Sequence, residues 1–152
     1  MAGFNGRKYR VYVRAGGTPP ADRRDIASYT IVGDTKNLDI GRTRNAIDTS
    51  TKDDANNATN DGGRRTQTVS FTANYDKAED TGQQIVIDAY KDDTNQPAGY
   101  FLISPNVAGE KCYYGDIGTV TQANQSFPDD NVATLDCAWQ VTGAITEADV
   151  AT

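Results

Sequence analysis

The clearest signal along the chain is alternation. Val69, Phe71, Ala73 and Tyr75 stand at every second position, with Thr68, Ser70, Thr72 and Asn74 between them. A period of two places each set on its own face of an extended strand. The pattern returns near the end, where Ala133, Leu135, Cys137, Trp139 and Val141 interleave with Val132, Thr134, Asp136, Ala138 and Gln140. Near the start, Tyr9, Val11 and Val13 alternate with Lys8, Arg10, Tyr12 and Arg14, a strand with one wet face. Shorter strands are predicted over about 27–32, where Tyr29 and Ile31 share a face, and about 37–42, where Leu38 and Ile40 oppose Asp39 and Gly41, with an extension at 46–48. Tyr100-Phe101-Leu102-Ile103 is apolar on both faces, as a central buried strand should be. Residues 111–122 read as strand, and Gly115 and Gly118 predict a bulge or bend within it. The last strand closes at Gly143, and the tail to Thr152 reads as weakly structured.

Two segments break the rhythm. Ala78, Ile85, Val86, Ala89 and Tyr90 fall on one stripe at helical spacing, which predicts a helix over about 77–92. Asp76 is placed to cap it, with Glu79 three residues on, and Asn95 and Pro97 stop it. Residues 50–65 form the longest polar stretch and read as a loop. The sum is a mainly β chain: a β-sandwich or open barrel of about six to eight strands with one flanking α-helix and a long polar loop. It divides into an N-terminal arm with the first strand (1–20), a β-sandwich domain (21–143) and a C-terminal tail (144–152).

Composition sharpens that picture. The chain has 152 residues, enough for one domain with a single core. Asp outnumbers Glu 18 to 3, Thr outnumbers Ser 18 to 5, and there are 11 Asn and 14 Gly. Thr favours strands, and Asp, Asn and Gly favour turns. A mean hydropathy of −0.64 leaves little apolar surface, which suits thin two-layer β architecture.

The net charge of −6 is unevenly placed. Residues 1–76 carry 12 Lys and Arg against 9 Asp and Glu, hence +3; residues 77–152 carry 3 against 12, hence −9. A basic half of one copy facing the acidic half of the next would carry such charge in a head-to-tail contact. An acidic chain is a poor binder of a polyanion.

Candidate chemistry is sparse. There is no histidine, which removes the usual general base, metal ligand and partner of a Ser or Cys nucleophile. The two cysteines, Cys112 and Cys137, lie outside any zinc-ligand spacing and read as buried reduced thiols, with a disulfide left open should their strands be neighbours. Asp53-Asp54, Asp92-Asp93 and Asp129-Asp130 are adjacent acids in predicted turns, and adjacent side chains do not converge on one substrate. Asn57, Thr59, Asp61 and Gly62 mimic the start of a calcium loop, but Thr68 stands where the bidentate acid belongs. No enzyme, metal or cofactor is expected. No secretion signal or transmembrane run is apparent, so folding in the cytosol is expected.

The order of elements resembles a known family. Strands lead into Ile47-Asp48-Thr49-Ser50-Thr51-Lys52-Asp53, then a loop ending Gly62-Gly63-Arg64-Arg65, the strand 68–75, the helix, the buried 100–103 strand and a closing hairpin ending at Gly143. Over about residues 28–145 this resembles the major tail tube proteins of long-tailed, siphovirus-like phages and related gene transfer agents. The resemblance implies hexameric rings stacked into a tube, with tape-measure and tail terminator proteins as partners. DNA would pass through the lumen without specific binding, and no membrane would be involved. The place implied is the virion tail, assembled in the host bacterial cytoplasm. Subunit contacts are then expected at Asp48, Lys52, Asp53, Asp54, Arg64 and Arg65, and in the N-terminal region at Arg7 and Arg10, while Asp39 and Asp116 are candidates to line the lumen. A near alternative is the tube of a contractile tail or a type VI secretion system. An alternative of another class is a monomeric carbohydrate-binding or adhesin β-sandwich with Tyr12, Tyr113 or Tyr114 as a stacking platform.

Overall fold

A computed structural model describes residues 8–33, 35–48, 60–75, 81–94 and 97–150. The strands are β1 (Arg10–Ala15), β2 (Thr30–Val32), β3 (Thr35–Asp48), β4 (Asn60–Asn74), β5 (Gly99–Ser104), β6 (Lys111–Ser126) and β7 (Thr134–Asp149), and one helix, α1 (Thr81–Lys91), lies between β4 and β5. All seven strands form one antiparallel sheet in the order β2-β1-β5-β6-β7-β4-β3. The barrel is open, because β2 and β3 end the sheet without pairing to each other.

The sheet folds over itself because β6 and β7 each serve two halves of it. Residues 113–117 of β6 pair with β5, whereas Thr134–Gln140 of β7 pair with β4. Bulges make the bend. Gly118 is an extra β6 residue between the Ile117↔Val141 and Thr119↔Gln140 pairs, and Thr121 is another before Gln122↔Ala138. A Cβ at Gly118 would collide with Thr142 Oγ1, so the close approach requires glycine. The sequence expectation of a bend at these glycines is met.

The main core fills the fold between the halves. Trp139 of β7 meets Phe71 of β4 edge-on at 5.5 Å and Phe101 of β5 at 5.6 Å between ring centroids. Val11 and Val13 of β1, Val69, Ile117, Val120, Leu135 and Cys137 pack around them. Both alternating runs of the sequence thus point their apolar sets inward. The second face of β5 is also covered: Tyr100 and Leu102 join Tyr12, Tyr29, Cys112 and Val150 in a separate cluster. The prediction of a strand buried on both faces holds for β5, all six residues of which are buried. The wet face expected of β1 holds at Lys8 and Arg10, which are exposed, but not at Tyr12, which is buried against Tyr29 and Ile26 of the segment that returns across it.

Helix α1 docks on β1, β2 and β6. Gly82, Val86 and Ala89 face inward, and a side chain at Gly82 would strike the Ile31 carbonyl. Gln83 is buried and its Nε2 donates to the Asn74 carbonyl at 2.7 Å. Tyr90, expected on the buried stripe, is instead 56% exposed, although it shares the face of Val86; it stands in the last turn of α1, one residue before the helix ends. The cap at Asp76 and the helix start at 77–80 lie outside the described residues.

Several boundaries differ from the sequence reading. The segment expected as strand over 27–32 is strand only from Thr30, after a 3-10 turn at Ile26–Ser28, with Tyr29 buried and Ile31 exposed, and β6 runs past 122 to Ser126. The expected 50–65 loop is strand from Asn60 onward: β3 and β4 form one long hairpin, with Asp48 opposite Asn60 and Arg44 opposite Arg65. This arm is mostly exposed and held by its backbone ladder, which needs no apolar pattern. Arg44 lies across Gly62 and donates from Nε to the Gly63 carbonyl at 3.1 Å. Residues 49–59 lie outside the described residues. At the other end, β7 does not close at Gly143 but continues to Asp149. Gly143, at φ +80°, lies in a bulge where Thr142 to Thr146 of β7 faces only Asp116 to Tyr114 of β6. The strand therefore bends and resumes pairing instead of ending.

Cys112 and Cys137 are both free and buried. Cys137 pairs with Ala123, so the thiols are separated by residues 112 to 123 of β6, roughly 36 Å of strand at about 3.3 Å per residue. They also lie in different clusters, which excludes a disulfide within the chain.

Two measurements test this packing. Trp139 is the single tryptophan and is fully buried, so its emission reports on the core. Phe101→Ala is expected to cost roughly 3–5 kcal/mol in urea unfolding and to shift native emission to the red. The second concerns alkali. Burial pushes the Cys137 thiol up to about 12 from near 9, and the Tyr29 hydroxyl up to about 12 from near 10. Each holds its proton in the folded state after the unfolded chain has lost it. Their contribution is complete below pH 9 and declines as pH rises through 12. The urea midpoint should fall across that window, and Cys137→Ala should reduce the fall that begins near pH 9, the rest coming from Cys112, whose thiol is also raised by burial.

Candidate assembly surfaces

The candidate surfaces begin with backbone. An edge strand presents N–H and C=O groups to any chain that approaches. Among the described residues, β3 pairs only with β4 along its 14 residues, leaving its other edge unpaired by any strand. The β4–β7 ladder stops at Thr68↔Gln140, so residues 60–67 of β4 and 141–149 of β7 diverge and each has one edge without a strand neighbour. Gln67 bridges the fork, its Oε1 accepting from the Ile145 N–H at 3.0 Å. Residues 119–126 of β6 likewise pair only with β7.

Charge is the second ingredient, and much of it is engaged within the chain. Arg23 donates from Nη1 to Asp116 Oδ1 at 2.6 Å and lies 5.4 Å over the Tyr100 ring. Arg14 donates to the Thr18 carbonyl at 3.0 Å and the Ser28 carbonyl at 2.9 Å. Arg24 donates to the Asp149 carbonyl at 3.2 Å, and Tyr29 Oη donates to the Arg23 carbonyl at 3.0 Å. These contacts tie residues 18–29 over the Tyr12 cluster. Lys8 pairs with Glu110 at 2.7 Å, and Lys111 with Asp149 at 2.9 Å. Their mutual hydrogen bond raises Lys111 and lowers Asp149. Part of the sequence's charge asymmetry is thus used to join the basic half of one chain to its own acidic half.

The remaining exposed cations concentrate on the β3–β4 hairpin, at Lys36, Arg42, Arg44, Arg64 and Arg65. Between this hairpin and the β1–β5–β6 half of the sheet opens a groove of about 670 Å³. Leu38, Ile40, Ile103 and Tyr113 line it with apolar surface, and Arg10, Lys36 and Arg42 bring charge to it. No Asp or Glu lines it among the described residues.

The expected site residues do not form one site. Arg64 and Arg65 are exposed on β4, and Asp48 is exposed at the end of β3. Arg10 begins β1 and reaches the Tyr9 carbonyl at 3.5 Å. Asp39 is exposed on edge strand β3, whereas Asp116 is half-buried against Arg23. Arg7, Lys52, Asp53 and Asp54 lie outside the described residues. Sequence reading missed the groove, since Leu38 and Tyr113 come from strands brought together only by the fold. The three tyrosines of the adhesin reading do not share one exposed platform: Tyr12 is buried, Tyr114 packs beside it against the same cluster, and Tyr113, half-buried, lines the groove. Among the described residues no three His, Cys, Asp or Glu side chains converge as metal ligands, and no helix is long and apolar enough to cross a membrane.

A family model described as phage tail tube protein matches residues 4–147. Among solved structures, the chain is similar to the SPP1 tail tube (TM-score 0.74, 14% identity, covering 99% of this chain and 81% of that one). It is similar to the tail of an empty GTA particle refined with C6 symmetry (TM-score 0.67, 12% identity, 96% and 99% covered). It also resembles a chain of the PVC sheath–tube complex, an extracellular contractile injection system (TM-score 0.56, 12% identity, 93% and 89% covered). No curated protein sequence matches.

The Arg23 clamp yields a local prediction. Arg23→Ala removes an ion pair and a cation–π contact, each worth about 0.5–1 kcal/mol at a part-exposed site. Amide exchange over residues 22–29 should accelerate severalfold while exchange in β4 and β7 stays unchanged.

Proposed function

The chain belongs to the phage tail tube protein family, and from that premise we propose that its copies close into hexameric rings that stack into a conduit for a genome. The observation that carries the ring is the set of strand edges on β3, β4, β6 and β7 that, among the described residues, no strand of the same chain pairs. A second copy pairs such edges without new chemistry, as strand addition does elsewhere. The β3–β4 hairpin, with Asp48, Arg64 and Arg65, reaches toward neighbouring subunits, and Lys52, Asp53 and Asp54 follow in the connection between its strands. Arg7, Arg10 and the two chain ends contribute to stacking. Asp39, exposed on the edge strand, is the better lumen candidate, since the Asp116 carboxylate is bound to Arg23.

The role is structural, not catalytic. DNA passes without specific binding, and tape-measure and terminator proteins define the ends of a tube assembled in the host cytoplasm and carried in the virion tail. The net charge of −6 supports passage without adhesion.

Negative-stain electron microscopy of the purified protein over a concentration series tests the proposal. Rings or tubes are expected, and monomers at every concentration would overturn it. Arg64→Glu with Arg65→Glu should weaken assembly, while urea stability of the subunit stays within about 0.5 kcal/mol, as for other exposed positions.

A further inference from the structure

The groove beside β3 has a counterpart elsewhere on the chain. Residues 127–133 connect β6 to β7, and Phe127 and Val132 there are 66% and 57% exposed. Asp129 and Asp130, both exposed, lie between them. The turn is ordered by its own contacts: the Tyr75 N–H donates to the Ala133 carbonyl at 2.8 Å, Asn131 Oδ1 accepts from the Val132 N–H at 2.8 Å, and Tyr75 touches Phe127 edge-on at 5.8 Å. Two large apolar side chains and two carboxylates are thus exposed together on one turn.

We propose that the groove receives this turn from a second copy, with Phe127 against Leu38, Ile40 and Tyr113, and Asp129 and Asp130 against Lys36 and Arg42. The inference rests on the assembly reading above and names one contact within it. Three observations favour a second copy as occupant. The groove combines apolar surface with positive charge and the turn combines apolar surface with negative charge, so both components match. A phosphate chain would use the cations but not the apolar floor. The turn's residues are absent from the groove lining in their own chain, so this contact requires another copy. Because the two patches differ, the contact is head-to-tail and repeats from copy to copy. An ordered turn also loses less conformational freedom on docking than a free segment would.

Charge exchange tests it. Lys36→Asp with Arg42→Asp, and separately Asp129→Lys with Asp130→Lys, should each raise the concentration needed for assembly at least about ten-fold, because like charges then face each other. The four substitutions combined should return it to within about three-fold of the parent. Pairs that assemble like the parent, or a combined variant as defective as the pairs though folded by circular dichroism, would overturn the contact. In either case tubes of the parent protein leave the tube reading standing; a parent that forms no tubes overturns both. A second measurement covers variants that fail to fold. Lys36→Cys with Asp129→Cys should give a ladder of cross-linked species when parent-like tubes are oxidised, the native thiols being buried. Oxidised tubes that run only as monomer count against the contact.

Discussion

The structure depends on two strands that belong to two layers at once. β6 and β7, each 16 residues long, run from the half of the sheet that holds β5 and β1 to the half that holds β4 and β3. The extra residues Gly118 and Thr121 on β6, and the bulge at Gly143 on β7, put the bend where Trp139 meets Phe101 and Phe71. Burial of that aromatic contact is what makes the bend favourable.

The same bend creates the open edges. Once β7 turns away from β4 at Gln140, the β3–β4 hairpin continues alone, supported by its own ladder and by Gln67 at the fork. An isolated two-stranded arm is marginal in water, which agrees with a surface completed by neighbouring copies. The groove beside β3 lies between the two halves, with β3 on one side and β1, β5 and β6 on the other.

Arginine use separates internal from external work. Arg14, Arg23 and Arg24 are turned to carbonyls and to Asp116 of their own chain, and they fix the 18–29 segment over the second cluster. Lys36, Arg42, Arg64 and Arg65 stand exposed on the hairpin. The two groups are indistinguishable by composition, so a charge count over the first half of the chain overstated what is available to a partner.

Alternation in 68–75 and 132–141 was enough to identify β4, β7 and their inward faces, because period two is a local property of an extended backbone. The apolar run at 100–103 disclosed a strand buried twice, the glycines at 115 and 118 marked the bend, and the order of elements pointed to the family. What the sequence could not disclose depended on neighbours remote in the chain. Asn60 to Arg65 looked like loop because their strand is held by backbone bonds to β3, not by apolar burial. Tyr12 looked exposed because its cover, Tyr29, arrives from another segment. The groove of Leu38, Ile40, Ile103 and Tyr113 exists only after β3 is placed opposite β5 and β6. Local pattern therefore determined which residues face inward along each strand, and the tertiary structure decided which edges and cavities remain for another molecule, because those are set by where the ladders stop.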